Sequence, residues 1–355
     1  MLKGNKGEWS EIYTLLKLLS EGKLFTGDAE LNKIQDLVYP IIKILRSETE
    51  GNYEYSFSGN LVIITSENQR IEIPIIKFAE QTEILLQKIK TSKDGAFTIP
   101  EIEFFLTQIR CKTLRAKSSV KTDIKIVIHD LKTNTQPNLG FSIKSQLGSP
   151  ATLLNASKAT NFVYKLNAKL NNIEIEQFNE QKNFVDKFKI LTKNGIKLEF
   201  IDPESSIFKN NLILIDSLLP EIIAEILILS STSNNTKVAE LTEEVSMLNP
   251  MNYDLTHHHN FYDYKIKHLL TDIALGLMPS KVWTGIYDAT GGYLVVKDDG
   301  VILAYHIYNK NEFENFLFEN TRLIRASTSR HEFGKIFIDE NEQKLKLNLQ
   351  IRFNK

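Results

Sequence analysis

Lys121-Thr-Asp-Ile-Lys-Ile-Val-Ile-His129 and Gly140-Phe-Ser-Ile-Lys-Ser-Gln-Leu-Gly148 are the two stretches from which the rest of this chain is read. Each alternates with a period of two, and the turn-rich Thr133-Asn-Thr-Gln-Pro-Asn138 lies between them, so the spacing predicts a β-hairpin. In the second strand Phe141, Ile143 and Ser145 share one face, and Ser142, Lys144 and Gln146 share the other. Pairing then brings Asp123, at the start of the first strand, near Lys144 on the second. A carboxylate and an ammonium on neighbouring strands form a minimal device for metal-dependent phosphodiester cleavage. The Asp holds a divalent cation through hard oxygen contacts, and the Lys stabilises charge or orients the attacking water. The same juxtaposition arises in ordinary sheets, so its surroundings matter. Three polar residues stand in a row on one strand face, between apolar Phe141, Ile143 and Leu147. Gly148-Ser-Pro-Ala-Thr-Leu-Leu-Asn-Ala-Ser157 follows, with small polar groups suited to a helix start and to close backbone approach.

At 355 residues the chain is long enough for one large domain or two modest ones, and 42% hydrophobic with 25% charged residues is ordinary for a folded soluble protein. No apolar run approaches the roughly 20 residues a membrane span needs. The longest candidate, residues 212–229, is broken by Asp216, Pro220, Glu221 and Glu225. The opening Met1-Leu-Lys-Gly-Asn-Lys6 lacks the apolar core of a signal peptide, and the single Cys111 leaves no partner for an internal disulfide. Both features fit a reducing compartment, and cytoplasm is the expectation. A net charge of −1 excludes a global electrostatic signature of nucleic-acid binding. Locally, however, Arg110, Lys112, Arg115, Lys117, Lys121 and Lys125 face only Asp123 across residues 110–125. Such a run is either a solvated basic loop or, leading as it does into Asp123, the place where a phosphodiester lies.

Residues 4–19 predict a helix with an Ile12, Leu15, Leu16, Leu19 stripe and Asn5 as its cap. Glu8 and Glu11 fall beside that stripe, where an acid costs desolvation unless it is paired or ligates something. First-turn glutamates also simply favour the helix dipole. Residues 53–76 alternate as strands with a turn at Ser66-Glu-Asn-Gln69, and residues 75–89 and 100–109 read as helices. Helices are also expected over residues 161–170, 173–190 and 207–229, the last divided near Pro220. Ser230-Ser-Thr-Ser-Asn-Asn-Thr236 is the best linker, which divides the chain into 1–235 and 236–355. Beyond it come His257-His-His259, a helix over residues 262–277, a hairpin over residues 291–308 with Asp298-Asp-Gly300 at its tip, and a short helix at 312–320. Adjacent histidines point apart and have no spaced partner, so they do not read as a zinc site. In the polar, basic stretch 322–332, Arg325, Arg330 and His331 have side chains that reach guanine edges or phosphates. Residues 345–353 alternate strictly and place Asn348, Gln350 and Arg352 on one face as a second candidate reading surface. Exposed strand faces often carry the same residues with no ligand at all.

Taken together, Asp123 and Lys144 follow the pattern of PD-(D/E)xK nucleases, except that Ser142 stands where the second acid is usual. Gly4-Asn-Lys-Gly-Glu-Trp-Ser-Glu-Ile-Tyr13, residues 140–148, Thr152-Leu-Leu-Asn155, Ser327-Thr-Ser-Arg-His331 and Asn348-Leu-Gln-Ile-Arg-Phe353 resemble the HpaII family of type II restriction endonucleases. The resemblance implies an α/β fold: a PD-(D/E)xK-like nuclease core over 1–235, with a mixed central sheet flanked by helices, and a C-terminal α+β DNA-recognition region over 236–355. It also implies Mg²⁺-dependent cleavage of double-stranded DNA at a short palindrome, CCGG being the candidate, and a methyltransferase that protects the host's own sites. A palindromic target calls for a homodimer. Residue by residue, Asp123 looks like the metal-binding acid and Lys144 like the motif lysine, with Ser142 in the second acid's slot. Glu11, or else Glu8, makes up the missing carboxylate, and Gln146 orients water or binds phosphate. Arg115, Lys117 and Lys121 join Arg325, Arg330, His331, Asn348, Gln350 and Arg352 as DNA contacts. A structure-specific repair or recombination nuclease and a catalytically degenerate DNA-binding protein are the alternatives.

Overall fold

The hairpin forms. In the computed structural model, which describes residues 1–67, 69–93, 95–115, 122–325 and 333–354, strands Ile124–Ile128 and Asn138–Ser145 pair antiparallel with Ile124 opposite Phe141. The chain divides into two units. One comprises Met1–Ala151 and Tyr287–Phe316, the other Thr152–Ile286 and Leu317–Asn354.

In the first unit the hairpin belongs to a closed ring of six strands. The order is Lys23–Gly27, Ile302–His306, Gly292–Val296, Asn138–Ser145, Ile124–Ile128 and Lys33–Glu48, which returns to Lys23–Gly27. Closure removes the ring's unpaired edges. The pairing is mixed: Gly292–Val296 runs parallel to Asn138–Ser145, and Ile302–His306 runs parallel to Lys23–Gly27. The expected mixed central sheet is therefore present, and it is closed. The 16-residue strand Lys33–Glu48 makes this possible by changing partners along its length. It meets Lys23–Gly27 with its first half, Ile124–Ile128 at residues 41–45, and Gly51–Ser58 at residues 43–48. Strands Leu61–Ser66 and Gln69–Pro74 extend the sheet beyond the ring, with the turn at 66–69 as predicted.

Helix Lys6–Glu21 begins where its cap predicts. The Asn5 side chain accepts from the Glu8 N–H and the Glu8 carboxylate accepts from the Asn5 N–H, a capping box, and Gly22 closes the helix in the left-handed region. Trp9, Tyr13 and Leu18 are buried along with the predicted stripe, because helix Ile75–Thr91 packs on this helix as well as the sheet. Tyr13 Oη donates to the Gly300 carbonyl at 2.6 Å and so fixes the tip of the 291–308 hairpin to the helix. Gly300 has φ +90°, and a Cβ there would stand 2.6 Å from Tyr13 Oη, so only glycine fits.

The second unit holds an antiparallel four-stranded sheet, Leu198–Pro203, Asn161–Leu166, Glu342–Asn348 and Ile336–Asp339. A three-stranded sheet has Ile351–Phe353 at its centre, between Thr152–Leu154 and Thr321–Leu323. Helices Asn172–Glu180, Phe184–Lys193, Ser206–Ile215, Leu219–Thr232, Val238–Leu248 and Phe261–Leu275 complete it. Three expectations are corrected here. Residues 161–166 form a strand, not a helix: Phe162, Tyr164 and Leu166 are buried on one face, and both edges are paired. The 173–190 segment is two helices, because Asn171 and Asn183 each cap a new start. The alternation over 345–353 is interrupted at Leu349-Gln350, so it serves two different sheets. The polar stretch 230–236 lies inside this unit, where the Leu323 N–H donates to the Thr236 carbonyl at 2.7 Å. No helix among the described residues is long and apolar enough to cross a membrane.

Candidate active site

Asp123 sits one residue before its strand and is held by its neighbour. Its N–H donates to the Phe141 carbonyl at 2.9 Å. Its Oδ2 accepts from the Ile143 N–H at 2.7 Å and from Ser142 Oγ at 3.1 Å. The serine in the second-acid slot therefore orients the first acid. Gly140 makes room beside it, since a Cβ there would lie 2.8 Å from the buried Thr122 Cγ2.

The N-terminal helix is tied to the end of the same strand, with Ser10 Oγ 2.8 Å from Ser145 Oγ, and the Leu147 N–H donates to Ser145 Oγ at 3.1 Å. One turn of that helix carries both glutamates. Glu8 Oε2 accepts from Asn5 N–H at 2.8 Å, so this carboxylate is engaged in the cap. The Glu11 side chain is only 13% exposed, and its pKa is pushed up to about 8. Burial is the main cause and the charge of Asp123 the next, with Glu8 adding to the rise and Arg115 and Arg46 opposing it. Asp123 and Glu11 thus repel across one site. The Arg115 Nε lies 3.3 Å from Glu8 Oε1 and 3.6 Å from Glu11 Oε1, so the arginine faces the acids in this state.

Lys144 is half-buried on the strand face predicted for it. Its Nζ stands 4.7 Å from the centre of the Tyr293 ring, a cation–π contact. Tyr293 comes from the parallel neighbour strand, directly opposite Ser142. It is buried, and burial together with the Asp123 charge raises the pKa of its hydroxyl. The charge of Asp123 therefore acts both on Glu11 and on the ring that carries Lys144. Gln146 continues the same face, half-buried, its N–H donating to the Val296 carbonyl at 2.8 Å. A cavity of about 420 Å³ opens beside the strand, lined by Asn5, Lys6, Gly7, Ile143, Ser145 and Gly148 among others.

Sequence reasoning did not find Tyr293 or Arg46. The alternation of residues 291–308 marks Tyr293 as a strand residue, but no local signal says that its strand lies beside residues 138–145. Arg46 is buried on Lys33–Glu48. Its Nε donates to Glu48 Oε1 at 2.6 Å and an NH₂ group donates to the Thr113 carbonyl at 2.5 Å. Thr113 Oγ1 lies 2.8 Å from Glu48 Oε2 and 2.6 Å from the Arg115 carbonyl oxygen. This network fixes the backbone from which Arg115 reaches the acids.

A divalent cation fits these residues. Among the described residues no group of three or more His, Cys, Asp or Glu is arranged to hold a metal. Mg²⁺ does not require one, since it commonly keeps several waters and takes one or two carboxylates plus phosphate oxygens. Asp123 and Glu11 supply two carboxylates whose mutual repulsion a cation relieves.

The expected DNA contacts divide. Lys117, Lys121, Arg330 and His331 lie outside the described residues. Arg325 donates to the Ser230 carbonyl and, at 2.5 Å, to the Ser233 carbonyl at the end of helix Leu219–Thr232, so it clamps a helix terminus. The expected Asn348–Gln350–Arg352 reading face is corrected: Asn348 and Gln350 are 8% and 7% exposed. The Asn348 Nδ2 stands 2.7 Å from Asn161 Oδ1 and 2.8 Å from the Ser157 carbonyl oxygen, which is a structural role. Only Arg352 remains half-buried on an accessible strand face.

Comparison with known proteins places the chain in a family. It is 51% identical to the type II restriction enzyme HpaII of Haemophilus parainfluenzae over 355 residues, covering 99% of this chain and 98% of the relative. No solved structure matches. A family model described as HpaII restriction endonuclease matches residues 5–353. With nearly its whole length matched, the chain belongs to the HpaII restriction endonuclease family.

Proposed function

We propose that this protein is a type II restriction endonuclease that hydrolyses phosphodiester bonds of double-stranded DNA at a short palindrome, CCGG, with Mg²⁺ bound by Asp123 and Glu11. The observation that carries this reading is the coupling of two carboxylates, one fixed by Ser142 and Ile143 and the other buried on a facing helix. The bound cation would supply Lewis-acid stabilisation of the phosphate and a water of lowered pKa. The protein's own groups do the rest. Ser142 and the Ile143 amide hold the Asp123 carboxylate in one orientation. The Tyr293 ring holds the Lys144 ammonium, which neutralises charge building on the phosphorane-like transition state or orients the attacking water. Gln146, on the same face, positions that water or a phosphate oxygen. Glu8 fixes the helix start that carries Glu11 and is the second choice as ligand.

In this reading the ring and its helices are a PD-(D/E)xK-like core in which Glu11 replaces the acid missing at position 142. A homodimer matches the two-fold symmetry of a palindrome. The enzyme works in the cytoplasm beside a methyltransferase of the same specificity. The test is incubation with unmethylated plasmid and Mg²⁺. Discrete fragments ending at CCGG are expected, and no cleavage across metals and salt concentrations would refute the reading. Ser142 in the acid slot gives the competing reading its one support, a DNA-binding protein that has lost its chemistry. Specific binding in EDTA without cutting in Mg²⁺ would establish that instead.

A further inference from the structure

The three-stranded sheet of the second unit carries a file of like charges. Thr152 stands opposite Arg352, Arg352 opposite Arg322, and Arg322 is bridged on its other side to Lys237. Directly opposed residues project from the same face of a sheet. A hydroxyl and three cations therefore line up across about 15 Å, three strand spacings of roughly 4.8 Å each.

Two arginines facing each other across a strand pair repel, and an anion lying over the pair relieves that repulsion. Among the described residues no carboxylate pairs with either arginine, and the Nε of each is buried without a hydrogen-bond partner. Lys237, the cap of helix Val238–Leu248, pairs with the exposed Glu240 in its first turn at 2.6 Å and also feels the charge of Glu319. Nearby Arg325 shows the alternative, a guanidinium whose NH₂ group is engaged by carbonyl oxygens. Among the described residues the Nε of Arg322 and of Arg352 lacks an acceptor and neither guanidinium pairs with a carboxylate, and phosphate oxygens supply both at once. The file is longer than one phosphate group, so an extended polyanion matches it better than a single anion does.

We propose that Thr152, Arg352, Arg322 and Lys237 form a track for the sugar–phosphate backbone of DNA, which positions the duplex without reading its sequence. This rests on the reading of the protein as a DNA-cleaving enzyme. The test measures affinity in Ca²⁺ for two duplexes, one containing CCGG and one lacking it, across a range of salt. Arg322→Gln and Arg352→Gln should each weaken binding to both duplexes by the same factor, about 3- to 10-fold. Each should also flatten the slope of log affinity against log salt by about 1. Arg→Lys at either site should keep most of the slope. An unchanged slope overturns the proposal, and so does a loss confined to the CCGG duplex, which would mean base reading. Melting temperature provides the fold control. Removing one of two repelling charges should leave it unchanged or raise it, and a clear fall would make the arginines structural and end the proposal. Inorganic phosphate is the remaining arm. If it stabilises the wild type but not Arg322→Gln while the DNA slope stays unchanged, the file is a free-anion site and the DNA track is wrong. If the wild type binds neither duplex even at low salt, the restriction-enzyme reading itself fails and takes the track with it.

Discussion

The two units of this protein each contain charges that repel, and the signs are opposite. In the first unit Asp123 and a largely enclosed Glu11 oppose one another, with Arg115 beside the glutamates. In the second, Arg322 and Arg352 face each other across paired strands. Like charges placed together cost stability, and on the two readings proposed above each set is completed from outside. On the proposed reading the acids take a small divalent cation, which the fixed hydrogen bonds on Asp123 and the low side-chain exposure of Glu11 suit. By the same reading the arginines take an extended polyanion, which a half-buried row across a sheet suits.

The sharpest way to break this comparison is to neutralise one acid. Asp123→Asn or Glu11→Gln should lower the cleavage rate by about 10³-fold or more while leaving DNA affinity in Ca²⁺ within a few-fold of wild type. Retained cutting in Glu11→Gln would pass the second-acid role to Glu8. The next effect is on stability against pH. Folded Glu11 holds its proton up to about 8, whereas the unfolded chain releases it near about 4.3. Between these values the folded state binds more protons, so its contribution makes stability fall as pH rises through the window and level off above it. The melting temperature of the metal-free protein should therefore drop from pH 5 to pH 8.5, and Glu11→Gln should remove that part of the drop. Added Mg²⁺ should flatten it, because the cation takes the proton's place.

Asn348→Ala tests whether the second unit's polar residues are rightly sorted into structural and ligand-facing ones. Losing the amide removes the bonds it donates to the Ser157 carbonyl and to Asn161 Oδ1, and should cost about 2 kcal/mol in a denaturant titration. Arg352→Gln should cost none. Tyr293→Leu removes the aromatic face under Lys144 and should lower kcat about tenfold with little change in KM, whereas Tyr293→Phe keeps the face and should lose less than about threefold. The smallest effect is expected from Arg115→Ala. Its guanidinium is largely exposed, so removing this competitor for the acids should tighten Mn²⁺ binding to the DNA-free protein by only about threefold at pH 9.5, as read by electron paramagnetic resonance.

Much of the local structure was legible because it is set by neighbours in the chain. The capping box at Asn5 and Glu8, the hairpin at 124–145, the turn at 66–69 and the Asp298-Asp-Gly300 tip all come from residues a few positions apart. Lys33–Glu48 was not legible as one long strand. Pro40 lies within it, and the ladder absorbs the proline with a register shift between Ile41 and Lys43. Residues 161–166 carry an apolar spacing open to either period, and partners on both edges settled it as strand. The alternation at 345–353 hid a change of sheet, which buried two of its three polar residues and left Arg352 opposite an arginine 30 positions away.

By itself, then, the sequence determined the chemical groups, the hairpin that presents Asp123 and Lys144, and the capped helix that carries the glutamates, since these depend on short-range periodicity and backbone capping. Only the tertiary structure decided that Glu11 is the acid that feels the charge of Asp123, that Tyr293 lies under Lys144, and that Thr152, Arg352 and Arg322 stand in one file. Burial and strand register depend on segments up to 150 or more residues apart, and no local pattern encodes which of them will meet.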